Sequence, residues 1–151
     1  MSATDRIEKQ LVLKAPQAKV WRALTNSAEF GTWFGCAMEG PFAAGTTVRG
    51  KILTPGYEHL KMEIAVEELD AARGYFSYRW HPYATDPKVD YSTETPTLVE
   101  FQLTEVPGGT RLAVTESGFD KLPAHRRDEA FRMNTRGWSA QLDNIEKYVA
   151  T

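Results

Sequence analysis

The sequence predicts an α+β fold in which a curved antiparallel β-sheet of six to seven strands wraps around a long C-terminal helix, with two short helices after the first strand. Three observations predict it. Phe131, Thr135, Trp138, Leu142, Ile145 and Val149 recur at alternating spacings of four and three just past Pro123, which is the stripe of one long amphipathic helix. Most of the chain before that point alternates apolar and polar residues between turn signals, the period of half-buried strands. Those strands follow one another through short turns, so they pair antiparallel. A lone helix with an aromatic stripe can bury it only against a sheet long enough to wrap it, and such a pairing tends to leave a cavity between the layers.

Each element follows in order. Residues 7–14 put Ile7, Leu11 and Leu13 on one side of a strand. Pro16 stands where a first helical residue would, and Val20, Trp21 and Leu24 supply that helix with an apolar face. Asn26 or Ser27 caps a second short helix through Phe30 and Trp33, which Gly35 ends. Short strands come next, broken by Gly40-Pro41 and Gly45 on either side of Phe42. Residues 46–53 carry Val48 and Ile52 on one face, and Pro55-Gly56 turns the chain. Residues 59–69 alternate Leu60, Met62, Ile64 and Val66 against charged residues, and 73–81 set Phe76, Tyr78 and Trp80 against Ser77 and Arg79. Residues 82–96 hold three prolines and no period, which reads as a long loop. Residues 97–106 present Val99, Phe101 and Leu103; Pro107-Gly108-Gly109 makes a hairpin; residues 110–117 present Leu112 and Val114. Pro123 opens the final helix.

Composition narrows the function classes. The 151 residues suit one domain spanning 1–151. With 18 basic against 20 acidic residues, there is no positive field to hold nucleic acid. No apolar run reaches the length of a bilayer span, so no membrane association is expected. The polar start MSATDRIEKQ lacks the apolar stretch of a signal peptide, and Cys36 is the only cysteine; both lead to the expectation of a cytoplasmic protein. His59, His81 and His125 lie on separate elements, and no ligand-spaced cluster, phosphate loop or dinucleotide fingerprint appears. No metal or cofactor is expected.

Two polar residues stand out. If Leu112 and Val114 face the core, alternation puts Glu116 there too, where a carboxylate must find partners and becomes a candidate for ligand binding or proton transfer. The nearby Ser117-Gly118 favours the plainer expectation that the strand ends and Glu116 reaches water or meets an arginine. Asn134 lies one turn from Phe131 and Trp138 on the final helix, placed to orient a ligand or to bond a nearby loop. The aromatic residues supply either a packed core or a pocket lining. The candidate ligand-binding set is Trp33, Phe42, Met62, Tyr78, Trp80, Phe101, Glu116, Phe131, Asn134 and Trp138, with Trp33 and Trp80 favoured because each sits where an element meets a loop. Arg126, Arg127, Arg132 and Arg136, interspersed with acids, read as a solvated, salt-bridged helix face.

Three segments carry a resemblance: PQAKVWRALTNSAEFGTWF, VEFQLTEVPGGTRLAVTESGF and RMNTRGWSAQLDNIEKY. With their spacing they resemble bacterial proteins related to the C-terminal domain of the activator of Hsp90 ATPase, within the START-like, or SRPBCC, superfamily. The matching positions are Val20, Trp21, Leu24, Thr25, Trp33 and Phe34, then Gly108 to Leu112 and 115–119, then Asn134, Gly137, Trp138 and Leu142. The resemblance implies the helix-grip fold and a stress-linked role. It supplies no catalytic set, and the N-terminal domain that accompanies this module in the eukaryotic activator is absent from the 151 residues, so Hsp90 stimulation is not carried over.

Three functions are expected in descending order. The first is a binding module for a small hydrophobic or aromatic ligand. The second is a cyclase- or hydratase-type enzyme using Glu116 or Asn134. The third is a co-chaperone-like interaction protein, a chaperone partner resting on family analogy alone. A homodimer is compatible with all three.

Overall fold

The computed structural model describes residues 5–58, 60–82 and 88–150. The expected order of elements holds: β1 (Arg6–Leu13), α1 (Gln17–Thr25), α2 (Ser27–Phe34), β2 (Cys36–Met38), β3 (Thr47–Ile52), β4 (Lys61–Asp70), β5 (Tyr75–Trp80), β6 (Thr97–Val106), β7 (Gly109–Ser117) and α3 (Ala124–Val149). The seven strands form one antiparallel sheet in the order β1-β7-β6-β5-β4-β3-β2, with the long helix laid against it. This is the helix-grip arrangement.

Local chemistry explains where the elements begin and end. The Asn26 side chain accepts from the backbone N–H groups of Ala28 and Glu29, both at 3.1 Å, and so starts α2. Gly35 ends that helix at φ 94°, in the left-handed region that a side chain would strain. Pro123 precedes α3 without a side-chain cap. On the sheet, alternation turns one face inward. Ile7, Leu13, Val48, Met62, Ile64, Val66, Phe76, Tyr78, Val99, Phe101, Leu103, Leu112 and Val114 are all buried. The other face is polar and carries cross-strand pairs such as Arg49–Glu63 and Arg79–Glu67, exposed contacts that add little stability.

The β4–β5 register shifts between Val66 and Glu68, and an irregularity of that kind bends a strand and sharpens the local twist. It also ends the simple alternation of β4 after Val66. The helix stripe differs from expectation at its first turns. Ala130 is fully buried, whereas Phe131 is half-buried and meets Phe119 edge-on, ring centres 5.3 Å apart. From Trp138 onward the stripe is buried as expected, through Leu142, Ile145 and Val149.

Two ties set α3 against α2. The Gln141 amide donates to the carbonyl of Phe34 at 2.9 Å, and the Tyr148 hydroxyl donates to Glu29 at 2.8 Å. They place the ring of Phe34 between helix and sheet, 5.9 Å from Trp80 and 6.4 Å from Trp138.

Candidate functional site: a buried carboxylate beneath an open cleft

Alternation along β7 carries Glu116 inward, and the side chain is fully buried. It neither reaches water nor meets an arginine, so the plainer expectation is corrected. Four side chains from three elements surround it instead. Trp80, the last residue of β5, donates its indole N–H to Oε2 at 2.8 Å. Thr97, its register partner at the start of β6, donates its hydroxyl to the same oxygen at 2.5 Å. Trp138 donates its indole N–H to Oε1 at 2.8 Å. Asn134, one turn earlier on α3, places its amide nitrogen 2.9 Å from Oε1 and 3.2 Å from Oε2.

Residues four apart share a helix face, so Asn134 and Trp138 reach the sheet together. Every partner of the carboxylate is an uncharged donor, and an indole N–H can do nothing but donate. Hydrogen bonds to a charged group are the stronger kind, and this set compensates for burial where no cation is present. The carboxylate thus joins β5, β6, β7 and α3 at one point.

Two cavities adjoin this network. The larger, about 420 Å³, is lined by Phe34, Ile52, Leu60, Met62 and Trp80, by Asn134, by His81 and Pro82 after β5, by Tyr91 and Ser92 of the following loop, and by Lys61 and Glu63. The smaller, about 130 Å³, is lined by Phe34, Trp80, Asn134, Gly137, Trp138 and Gln141. Phe34, Trp80 and Asn134 belong to both. The rings of Trp80 and Trp138 stack with centres 5.7 Å apart and form the floor above Glu116. Glu116 itself lines neither cavity; it holds residues that do.

The loop wall is fastened by Arg126, in the first turn of α3. Its guanidinium meets the Glu94 carboxylate at 2.7 Å, donates to the carbonyl of Pro82 at 3.0 Å and covers the ring of Tyr91 at 4.6 Å. Both charged side chains are largely buried, 12% and 7% exposed. The expected solvated arginine face is therefore corrected at this residue. The order of the charges along the helix gave no sign of it, because the partner lies 32 positions away in the loop. Residues 83–87 of the expected long loop lie outside the described residues; the rest contains a 3₁₀ turn at Tyr91–Thr93.

Of the ten residues expected to bind ligand, Met62, Trp80, Asn134 and Trp138 line the cavities. Glu116 lies directly behind them. Trp33, Phe42, Tyr78 and Phe101 are core residues, and Trp33 spends its indole N–H on the carbonyl of Ala23 at 2.8 Å. Phe131 packs on Phe119, away from both cavities. Sequence reasoning missed Thr97, Phe34, His81 and Tyr91. Thr97 had a usable signal, since it is the first residue of a strand directly across from Trp80.

Two buried groups have perturbed acidity. Burial pushes the Cys36 thiol up to about 12. Burial, reinforced by the nearby negative charge of Glu116, holds the Tyr78 hydroxyl well above its ordinary value, and that hydroxyl has no hydrogen-bond partner among the described residues. No cluster among the described residues could hold a metal ion, and no described helix is long and apolar enough to cross a membrane.

The family model for the activator of Hsp90 ATPase homolog 1-like protein matches residues 14–150. The chain belongs to this family. Solved structures agree on the fold of this Hsp90-activator-like chain. Protein MLL2253 from Mesorhizobium loti is 22% identical with a TM-score of 0.74, the match covering 96% of both chains. The Aha1 dimer from Colwellia psychrerythraea is 17% identical with a TM-score of 0.71, covering 95% of both chains. DynU16, a protein of the dynemicin biosynthetic locus, is 22% identical with a TM-score of 0.73; 97% of this chain matches 48% of that one. No curated protein matches. At these identities the neighbours speak for the fold alone.

Proposed function

We propose that this member of the Hsp90-activator-like family binds a small hydrophobic or aromatic molecule in the cleft between α3 and the β3–β5 half of the sheet. The observation that carries the reading is the 420 Å³ cavity with Phe34, Ile52, Leu60, Met62 and Trp80 in its wall. Its size falls within the range of small-molecule sites, and its wall sets these apolar side chains beside polar ones such as Asn134 and Ser92. The aromatic surfaces of Phe34 and Trp80 suit a flat guest.

The enzymatic reading is weaker on this geometry. A general acid or base must come within hydrogen-bond reach of the substrate, and both oxygens of Glu116 are occupied by protein donors behind the wall. Glu116 instead positions the residues that a ligand would touch. A chaperone partner rests on the family description alone. The large exposed apolar residues among those described are Val12 on β1, Leu53 and Tyr57 on the β3–β4 turn, and Val89 in the loop before β6.

The test is a thermal-shift screen with apolar and aromatic compounds. A ligand that binds only the folded state at 100 times its Kd adds about 2.7 kcal/mol of stability and raises the midpoint measurably. Filling the cavity with Ile52→Trp abolishes the shift while the protein stays folded. If no compound moves the midpoint of the unsubstituted protein, the reading fails.

A further inference from the structure

We infer that the cleft selects ligands carrying a hydrogen-bond donor, such as a phenolic or alcoholic hydroxyl or an aryl N–H, and seats that donor on Oδ1 of Asn134. The inference rests on the ligand-binding reading of the same cleft and adds the chemical class of the guest.

The orientation of an asparagine amide is ordinarily ambiguous, because its oxygen and nitrogen look alike. Here its partner removes the ambiguity. Trp138 donates to one oxygen of Glu116, and Trp80 and Thr97 donate to the other, so position 116 acts as an acceptor toward all of them. The edge of Asn134 that faces this carboxylate must then be its NH2 group, at 2.9 and 3.2 Å. The carbonyl oxygen on the opposite edge takes no hydrogen bond from the described residues. Asn134 is half-buried and lines both cavities, so the polar atom it has left to offer a guest is an acceptor.

Nδ1 of His81, in the same wall, also has no hydrogen bond among the described residues, but it is buried out of a guest's reach. An ether or ketone oxygen placed against Oδ1 would set acceptor against acceptor and lose its own hydration without return. Glu116 acts here as a positioning residue, because it dictates which edge of the amide the cleft presents.

Calorimetric titration with 2-naphthol, 2-methoxynaphthalene and naphthalene tests this. 2-Naphthol is expected to bind roughly tenfold tighter than the other two, the value of one net hydrogen bond. In Asn134→Ala the three converge to within about twofold. Glu116→Gln keeps the shape but introduces a donor that can turn the amide over, so the preference for 2-naphthol over its methyl ether collapses. Circular dichroism confirms folding, and Asn134→Ala decides alone if Glu116→Gln does not fold. Equal affinity for 2-naphthol and 2-methoxynaphthalene in the unsubstituted protein overturns the inference and leaves the ligand-binding reading standing. Binding of none of the three overturns both.

Discussion

Glu116 accepts hydrogen bonds from Trp80, Thr97, Asn134 and Trp138 while fully buried, so removing it strands four donors at once. Each unsatisfied buried donor costs about 1–3 kcal/mol, less whatever water recovers in the space left behind. Glu116→Ala is therefore expected to lose about 4 kcal/mol in urea unfolding. A loss under about 1 kcal/mol would show that the donors find other partners and that the carboxylate does not hold the site together. The residue was legible in part. Alternation placed it on the inner face, but the proximity of Ser117-Gly118 argued for an outlet to water. What decided otherwise was the arrival of two residues of α3, which no pattern local to β7 records. Trp33 shows the opposite lapse: its place next to a loop suggested a lining role, yet its indole N–H is used within the helical pair.

At the scale of elements, the loop after β5 is fastened to the start of α3 by Arg126 and Glu94. Breaking a largely buried pair leaves one uncompensated charge, which is worse than replacing both partners. Glu94→Ala should therefore destabilise by roughly 3 kcal/mol, and hydrogen exchange should quicken first at Tyr91, Ser92 and the opening turn of α3. Uniform acceleration across the sheet would mean that the clasp supports the whole fold rather than the cleft wall. Most elements could be read from the chain itself. Asn26 and Gly35 bracket α2 through local chemistry, and the alternation of β5, β6 and β7 is uninterrupted in the sequence. The first turns of α3 could not, because Ala130 is small enough to pack closely while Phe131 turns aside to Phe119.

For the whole molecule, buried weak acids tie stability to alkaline pH. The folded state holds the Cys36 thiol at about 12 against an ordinary value of 9.0, and burial raises Tyr78 in the same direction. A group whose pKa is raised by folding stabilises fully below its unfolded pKa and loses that contribution as pH climbs toward the folded one. The urea midpoint should hold level to about pH 9 and fall from there toward 12. Cys36→Ala should make that fall shallower. If the substitution leaves the slope unchanged, the thiol contributes nothing to it, and the other titrating groups account for all of it.

Periodicity is a local property, so residues three and four apart, or two apart, announced the long helix, the antiparallel strands and the wrapping of one by the other. The family could be recognised for the same reason, since its signature lies in contiguous segments. The cleft is a different kind of object. Its walls come from β3, β4, β5, the loop at Tyr91 and α3, and its polar edge depends on a carboxylate from β7 turning an amide on α3. Packing alone chose which aromatic rings filled the core and which were left facing a space, because that choice depends on volumes and directions fixed only when distant segments meet.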